Sequence, residues 1–327
     1  MKKIAFYVLI ILLFTSCNQE PQNIKLSGPI FGTAFNIQYY SENNTNYQKQ
    51  FDSLFVVINQ SMSTYITDSD ISKWNRNETV EVDNHFKTVF NASKKIFKET
   101  KGVFDPTIGN VVNAWNFGPD TNKFLTDSTT ISKLMETVGF DKIILLDNRF
   151  IKPNNAYLDF NAIAKGYGID VIANFLDAKG IKNYLVDIGG DLRTSGTNIE
   201  RKKPWAVGIG DPNFDGSISH SKAIKLSNKS MATSGTYRKF KIDNNGNRYA
   251  HIINTKTGYP TKTNVLSVSV IAPNCMLADG YATAFQAMGI KNTTAFINTH
   301  PELKVYFIYL NDKQELETLS LNDFPLN

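Results

Sequence analysis

The fold class is decided by a stretch near the C terminus, VLSVSVIA at 265–272, followed by Pro273-Asn274 and by CMLADGYATAFQAM at 275–288. The first part alternates as a strand does, and Pro273-Asn274 then marks the start of a helix that runs to about Met288. Strands elsewhere in the chain are not spaced as a regular series of strand–helix–strand units. We therefore predict an α+β fold with mixed or antiparallel sheets and packed helices, instead of a doubly wound parallel sheet.

Hydrophobic spacing outward from this stretch predicts the remaining elements. Helices are expected at 51–62, at 86–97, from Asp105-Pro106 onward, at 131–138 and at 162–178. Strands are expected at 142–146, 156–160, 184–188, 205–209 and 303–310, and the loop 243–247 is expected to join 238–242 with 249–253 in a hairpin. The chain contains no repeat and no long linker, so we expect two interleaved lobes within one domain.

The composition narrows the class of protein. The chain has 327 residues, of which 42% are hydrophobic and 20% are charged, which excludes a disordered or collagen-like polymer and supplies a sizeable core. The net charge is +5, from 35 Lys and Arg against 30 Asp and Glu, and no basic residues cluster in a stripe. A nucleic-acid-binding protein needs such a stripe, so we expect no nucleic-acid partner.

The N terminus has the pattern of a secretory signal. Lys2-Lys3 precede an unbroken apolar run at 4–14, which is too short to span a bilayer comfortably. Two interpretations follow: an ordinary signal peptide cleaved nearby, or a lipobox at Phe14-Thr15-Ser16-Cys17, which resembles a bacterial lipoprotein signal. We favour the lipobox, which predicts a signal peptide at 1–16, lipidation of Cys17, a tether at 17–23 and a folded domain at 24–327.

Two segments carry residues suited to an anionic ligand. At 158–166 (LDFNAIAKG), an acid follows a predicted strand, small residues come next, and Lys165 lies one turn into a helix. Small residues at a helix N-terminus let a phosphate approach the backbone amides, and the lysine adds positive charge. The alternative is a plain strand-to-helix turn with a capping Asp159 and a solvated Lys165. The paired glycines at 187–191 (DIGGD) permit either close ligand contact or an ordinary turn.

Two further segments carry side chains suited to acid–base or metal chemistry. His251, in YAHIIN at 249–254, is one of only four histidines, and its alternative role is structural. Asp279 and Thr283 are spaced i, i+4 on one predicted helix face. Together with a backbone carbonyl they could hold Mg²⁺, a hard cation that prefers oxygen ligands. Alternatively, Asp279 interacts with the helix dipole and Thr283 bonds to its own helix. The sequence contains no zinc-type His/Cys cluster, Walker loop or GxGxxG motif.

Taken in order along the chain, these segments resemble the ApbE family of periplasmic FAD:protein FMN transferases. The matching segments are Gly32-Thr33, 62–65, 102–107, 158–166, 187–191, Ser234-Gly235, 251–254, 257–260 and 278–283, which together span nearly the whole mature chain. The resemblance implies an α+β fold with the FAD site between the lobes, FAD as the substrate and Mg²⁺ as the cofactor. It also implies transfer of FMN to a threonine hydroxyl of an acceptor protein, with release of AMP.

The resemblance further implies roles for individual residues. Asp279 and Thr283 would bind the metal through their side chains, and Ala162 through its carbonyl oxygen. The FAD site would be lined by Phe31, Tyr65, Val103, Phe104, Asp105, Asp159, Lys165, Ser234, His251 and Ile252. The sequence departs from the family pattern at Phe31, where methionine is frequent, and at Asn161, where glycine or serine is commoner.

Catalytic roles are implied for Lys165, which would stabilise charge on the pyrophosphate, and for His251 and Asp279 as alternative general bases for the threonine hydroxyl. His251 is favoured because Asp279 would be occupied by Mg²⁺. Two other functions stay open, namely an FAD pyrophosphatase that releases FMN and AMP, and a non-catalytic flavin-binding lipoprotein. The expected acceptors are threonine-bearing subunits of membrane redox complexes. The expected location is the periplasmic side of the cell envelope, with a lipid anchor in the inner membrane.

Overall fold

A computed structural model of the chain describes residues 20–78, 81–119, 126–146, 149–213, 219–220, 222–236, 240–242 and 248–326. The predicted signal peptide at 1–16 and the predicted lipidation site Cys17 lie outside these residues, as does the predicted hairpin loop at 243–247. Within the described ranges, no helix combines the length and the apolar character that crossing a membrane requires.

The strands form one large sheet and three two-stranded ribbons. In chain order the described strands are β1 (Gln22–Ile30), β2 (Thr33–Ser41), β3 (Ile144–Leu146), β4 (Arg149–Ile151), β5 (Tyr184–Ile188), β6 (Asp191–Ser195), β7 (Trp205–Ile209), β8 (Lys222–Leu226), β9 (Ser230–Gly235), β10 (Phe240–Ile242), β11 (Arg248–Ala250), β12 (Val265–Ala272), β13 (Lys304–Leu310) and β14 (Leu316–Leu321). The large sheet has the order β1-β2-β5-β6-β9-β12-β13-β14, and all neighbouring pairs in it are antiparallel. The ribbons are β3-β4, β7-β8 and β10-β11.

The helices connect and cover these strands. In chain order they are α1 (Gln48–Met62), α2 (Asp70–Asn75), α3 (Asn84–Glu99), α4 (Gly109–Ala114), α5 (Ser128–Met135), α6 (Ala164–Ala178) and α7 (Cys275–Ile297), with short 3-10 helices at Pro106–Ile108 and Phe140–Lys142. Helices α6 and α7 pack against each other, α6 also against β5 and β6, and α7 also against β9 and β12. A left-handed Gly289 (φ 71°) interrupts α7 just beyond the end predicted at Met288.

Apolar side chains fill both faces of the large sheet. On the helical side, Val268 and Val270 of β12 pack in a cluster with Phe285 of α7. On the other side, Ile271 of the same strand packs with Val207 of the β7-β8 ribbon. Neighbouring residues of a strand point to opposite faces of the sheet. Since both faces are covered here, β12 is buried along its whole length. The predicted α+β fold is confirmed, and its two lobes are the halves of one sheet, β1-β2-β5-β6 under α6 and β9-β12-β13-β14 under α7.

Most predicted elements are present, and several differ from the prediction in their bounds or type. Residues 156–160, predicted as a strand, belong to no described strand. Instead, the Leu158 N–H donates to Asn75 Oδ1 (2.8 Å) and the Leu158 carbonyl accepts from Asn75 Nδ2 (2.9 Å). The helix predicted from 162 begins at Ala164, because Ile163 has a non-helical backbone (φ −152°, ψ −23°).

Sequence reasoning missed the first two strands. β1 and β2 pair through a two-residue turn at Phe31-Gly32, in which both residues have positive φ (49° and 71°). A turn with positive φ at both central residues is a type I′ turn, whose twist matches the twist of the two strands that it joins. Since β1 begins at Gln22, residues 22 and 23 belong to the sheet and not to the tether predicted at 17–23.

Candidate active site

A central cavity of about 1030 Å³ is lined by residues from both lobes. Its volume is at the upper end of the roughly 300–1,000 Å³ that is typical of small-molecule sites. Every residue that the sequence predicted for the FAD and metal sites lines it: Phe31, Tyr65, Val103, Phe104, Asp105, Asp159, Ala162, Lys165, Ser234, His251, Ile252, Asp279 and Thr283. The fold therefore brings the predicted residues of both sites together in one place.

One wall of the cavity is built where α6 begins against α7. The Gly166 N–H lies in the first turn of α6, where a helix supplies no acceptor of its own. It donates to Asp279 Oδ2 of α7 over 2.9 Å. A Cβ on residue 166 would lie 2.3 Å from the Cys275 carbonyl oxygen and 2.8 Å from the Asp279 Cβ. Glycine at 166 therefore lets the two helices approach closely enough for this bond.

Asp170 makes a second contact between the same helices. Its carboxylate accepts from the backbone N–H groups of Cys275 (3.0 Å) and Met276 (2.8 Å), in the first turn of α7. It also pairs with Arg193 of β6, with Nη1 and Oδ1 3.1 Å apart. Acidic groups are favourable at a helix N-terminus, where the backbone amides lack partners. Asp170 thus fixes α6, α7 and β6 relative to one another beside the cavity.

Lys165 forms a partly buried ion pair in the cavity wall. Its Nζ lies 2.6 Å from Asp191 Oδ2, and the Asp191 side chain is only 3% exposed. Asp191 Oδ1 in turn accepts from the Thr233 N–H over 3.0 Å. Burial alone would lower the pKa of Lys165, but the negative charges of Asp191 and Asp279 outweigh it and hold that pKa above its ordinary value. Lys165 is therefore a fixed cation.

Asp279, Thr283 and Ala162 bring three oxygen donors to the lining of the same cavity. Thr283 Oγ1 lies 3.5 Å from the Ala162 carbonyl oxygen and 3.3 Å from Ser234 Oγ. Burial, with the charge of Asp191 added to it, raises the pKa of Asp279 to about 7. A carboxylate, a hydroxyl and a carbonyl are the hard donors that Mg²⁺ prefers, so these residues fit that ion. In the part of the chain that the structure describes, no three His, Cys, Asp or Glu side chains are grouped so that they could hold a metal ion by themselves.

The Asp105 carboxylate is engaged by its own surroundings. Oδ1 accepts from the Thr107 N–H (2.8 Å) and the Thr107 hydroxyl (2.6 Å), and Oδ2 accepts from the Phe140 N–H (3.2 Å). Asp105 thereby caps the 3-10 helix that begins at Pro106. Burial raises the pKa of this carboxyl, since it disfavours the charged form. Asp105 lines the cavity, but its carboxylate bonds to Thr107 and Phe140 within the protein.

Asn161, which departs from the pattern of the ApbE family, stabilises the turn before Ala162. Its N–H donates to Asp159 Oδ1 over 2.8 Å, and its Nδ2 donates to Thr64 Oγ1 over 3.3 Å. The next residue after Thr64 is Tyr65, which is 58% exposed and whose pKa is raised by burial of its hydroxyl and by the charge of Asp159. An asparagine side chain thus links two predicted FAD-lining segments, which a glycine could not do.

Phe31, the other departure, enters the cavity from the β1-β2 turn. Its φ of 49° lies in the left-handed region, which costs an L-residue about 1–2 kcal/mol. The Phe31 and Phe55 rings meet edge to face with centroids 5.7 Å apart, and a Cβ on Gly168 would lie 2.7 Å from the Phe31 ring. Backbone strain held in place by close packing is typical of functional positions. The ring is an apolar surface on which a flavin or an adenine can pack.

His251 reaches the cavity from the segment that follows β11. Its ring centroid lies 6.3 Å from that of Phe117. The segment is fixed at Thr255, whose hydroxyl donates to the Gly102 carbonyl over 2.6 Å. Because Gly102 directly precedes Val103-Phe104, this bond joins two of the predicted FAD-lining segments.

Comparison with known proteins identifies the family. The family model described as the ApbE family matches residues 31–307. The chain belongs to the ApbE family. A curated relative from Haemophilus influenzae named FAD:protein FMN transferase is 34% identical, over 95% of this chain and 94% of its own length. A relative of the same name from Vibrio cholerae is 35% identical, over 85% of each chain.

Solved structures of ApbE proteins share this fold. Flavin Transferase ApbE from Vibrio cholerae superimposes with a TM-score of 0.83 at 32% identity, covering 93% of this chain and 98% of that one. The apo form of Pseudomonas stutzeri flavinyl transferase ApbE also gives 0.83, at 25% identity, covering 93% and 96%. The prediction of a transferase of the ApbE family is confirmed.

Within this ApbE-family site, sequence reasoning missed the partner of Lys165. Asp191 stood inside a segment for which close ligand contact and an ordinary turn were both open, and the signal that could have found it is an acid placed directly after two glycines at the start of a strand. Gly208, Gly210 and His220 also line the cavity, near or beyond the end of β7. No feature of the sequence had singled them out.

Proposed function

We propose that this member of the ApbE family transfers the FMN moiety of FAD to a threonine hydroxyl of an acceptor protein and releases AMP. The observation that carries the proposal is the cluster of Lys165 with the oxygens of Asp279, Thr283 and Ala162 in one wall of the central cavity. A fixed cation and hard oxygen donors are the groups that a pyrophosphate requires. The names of the curated relatives support the same substrate.

The transfer would exchange one phosphorus–oxygen bond for another. The threonine oxygen attacks the phosphorus on the riboflavin side of FAD, and a new phosphoester bond forms. The bond from that phosphorus to the bridging oxygen breaks, and AMP departs with this oxygen. Lys165 would hold the pyrophosphate and stabilise its growing charge.

Mg²⁺ would be held by the Asp279 carboxylate, the Thr283 hydroxyl and the Ala162 carbonyl oxygen. When bound, it would supply charge neutralisation at the pyrophosphate oxygens. The Gly166 bond to Asp279 orients the carboxylate, and Ser234 Oγ, 3.3 Å from Thr283 Oγ1, orients the hydroxyl. Partners of this kind usually fix the direction of metal-binding side chains.

His251 would take the proton of the threonine hydroxyl. An imidazole has a pKa near neutrality, which suits a general base. Asp279 is the alternative base, but its Oδ2 already accepts the Gly166 N–H and its carboxylate is required for the metal. The commitment of Asp279 to these partners supports His251.

The location proposed for the enzyme rests on the sequence before the described residues. A lipid on Cys17 would tether the catalytic domain to the periplasmic face of the inner membrane. The proposed acceptors, threonine-bearing subunits of membrane redox complexes, would then be within reach of the domain.

The test is co-expression with a candidate acceptor, followed by mass spectrometry of the acceptor. We expect a mass increase that corresponds to FMN, located on a threonine, together with an equal amount of AMP. FMN and AMP released at the same rate without acceptor would instead support the FAD pyrophosphatase. FAD binding without any AMP release would leave a flavin-binding lipoprotein and contradict the proposal.

A further inference from the structure

Lys165 lies near two carboxylates: its ammonium group pairs with Asp191, and Asp279 accepts the N–H of the next residue, Gly166. Its ammonium nitrogen is 2.6 Å from Asp191 Oδ2, while within the described ranges no other acid lies within 4.0 Å of it. Asp279 lies beside the same turn of α6, since its Oδ2 accepts the N–H of Gly166, the residue next to Lys165, over 2.9 Å. If the ammonium group turned to Asp279, it would compete with a cation for the same oxygens.

Asp191 is built to hold the lysine in one position. The side chain is nearly fully buried, and each of its carboxylate oxygens has a partner: Oδ2 faces the ammonium group and Oδ1 accepts the Thr233 N–H over 3.0 Å. Thr233 is in turn fixed by its hydroxyl, 2.7 Å from Ser269 Oγ. The carboxylate therefore cannot rotate to follow Lys165 without giving up a backbone partner in a buried site.

We infer that Asp191 is a positioning residue for the transfer. It holds the Lys165 ammonium group away from Asp279, so that the Asp279 carboxylate is available to bind the metal. The inference rests on the proposed function. It assigns to Asp191 no contact with FAD or with the reacting atoms. Its effect is on the apparent affinity of the site for Mg²⁺, through the lysine.

The fold permits a clean test because α6 is attached to β6 at a second place. The Asp170–Arg193 ion pair (3.1 Å) lies further along the same helix and does not involve Asp191. In Asp191→Asn, the remaining side-chain oxygen can still accept the Thr233 N–H, but the attraction for the ammonium group is lost. Asp187→Asn is the matched control, because Asp187 lies in the same hairpin and its Oδ1 accepts the Gly190 N–H (3.1 Å) instead of pairing with Lys165.

The experiment measures the melting temperature against Mg²⁺ concentration in the presence of FAD. Its result is the midpoint, the Mg²⁺ concentration that gives half of the full rise in melting temperature. AMP release is measured alongside. For Asp191→Asn we expect this midpoint to rise about tenfold, an ordinary size for a coupling between neighbouring charges. For Asp187→Asn, which removes an equal charge, we expect less than about a threefold change. In a Lys165→Met background, Asp191→Asn should do no more than the control, because no ammonium group remains to be misplaced.

Equal midpoints for Asp191→Asn and Asp187→Asn would overturn the inference, as would a tenfold rise that persists in Lys165→Met. Asp191→Glu keeps the charge and covers the case in which the asparagine variant folds poorly. We expect it to stay within about threefold of the parent, whereas a large rise in a folded Asp191→Glu protein would mark Asp191 as a packing residue and overturn the inference. A parent chain with no Mg²⁺ response and no AMP release would contradict the proposed function itself, and this outcome is distinct from a responsive parent with an unresponsive variant.

Discussion

The backbone N–H of Gly166 donates to Asp279 Oδ2 over 2.9 Å, although the two residues are 113 positions apart in the chain. This bond satisfies an amide of the first turn of α6 from outside its own helix. It orients one oxygen of Asp279 towards α6, and the Ala162 carbonyl oxygen, in the turn before the helix, lies 3.5 Å from Thr283 Oγ1. The proposed metal ligands are therefore set by the contact between two helices, and not by any one segment of the chain.

Gly166→Ala should disrupt this contact. The new Cβ would meet the backbone carbonyl of Cys275 at 2.3 Å, which cannot move aside as a side chain can. We expect a loss of about 1–3 kcal/mol in the free energy of unfolding, the usual cost of overpacking, and a large loss of AMP release. Urea denaturation and an AMP assay measure the two effects. Gly168→Ala is the control for the stability measurement, because its Cβ would meet side chains alone, the Phe31 ring at 2.7 Å and Ile58 Cδ1 at 3.9 Å. An equal loss of stability in both variants would argue against a rigid helix contact.

Asp105→Ala should affect stability more than FAD affinity. The variant leaves the buried N–H groups of Thr107 and Phe140 without their acceptor, which costs about 1–3 kcal/mol. Asp127→Ala removes a comparable cap from an exposed helix and should destabilise less. Urea denaturation and flavin fluorescence titration separate the two properties. A tenfold loss of FAD affinity with unchanged stability would instead indicate that Asp105 contacts the ligand directly.

Lys165→Ala should weaken FAD binding more than riboflavin binding, because riboflavin lacks the pyrophosphate. The loss of a charge-assisted contact costs about 1.5–3 kcal/mol, which is roughly ten- to a hundredfold in affinity. Lys179→Ala, at the other end of α6, removes an equal charge far from the cavity and should change neither affinity. Fluorescence titrations with both flavins make the comparison. If both flavins lost affinity equally, Lys165 would not act on the phosphates.

Cys17→Ser should release the protein from membranes, or leave an uncleaved precursor, without harming catalysis by the purified 18–327 body. The lipid supplies membrane affinity, while every residue assigned to the site lies beyond residue 30. Membrane fractionation and intact-mass measurement test the anchor, and AMP release tests the truncated body. Membrane association that survives in Cys17→Ser would refute the anchor, and an inactive but folded body would show that the N-terminal segment contributes to the site.

The sequence predicted the elements that their own hydrophobic pattern is enough to define. β5, β7 and β12 have the predicted bounds because each is a short apolar run between turn residues. The β1-β2 hairpin was missed because its turn is Phe31-Gly32, and phenylalanine in the left-handed region contradicts ordinary turn preferences. Residues 156–160 have the composition of a strand, but both backbone groups of Leu158 bond to the Asn75 side chain, and such a partner cannot be deduced from periodicity.

The site residues were predictable as motifs, whereas their connections were not. The sequence placed Lys165 and Asp279 in the same site through the resemblance to the ApbE family. The Lys165–Asp191 pair joins α6 to β6, and the choice of partner among several nearby acids depends on three-dimensional packing. The role of Asp105 could not be predicted from the sequence for the same reason. A buried carboxylate can face a ligand or bond to nearby backbone groups, and the choice depends on the fold.

The central claim is that Asp279 and Thr283 hold the Mg²⁺ required for transfer, and the most direct measurement is AMP release from FAD against Mg²⁺ concentration, with thermal melts alongside. We predict that Asp279→Ala abolishes AMP release at ordinary Mg²⁺ while FAD still binds, and that Thr283→Ala is milder and partly rescued by excess metal, since a neutral ligand contributes less than a charged one. A purely structural acid near a helix N-terminus would instead cost about 0.3–1 kcal/mol of stability with activity retained. If Asp279→Ala turns over FAD like the parent, the metal site and the mechanism built on it are wrong.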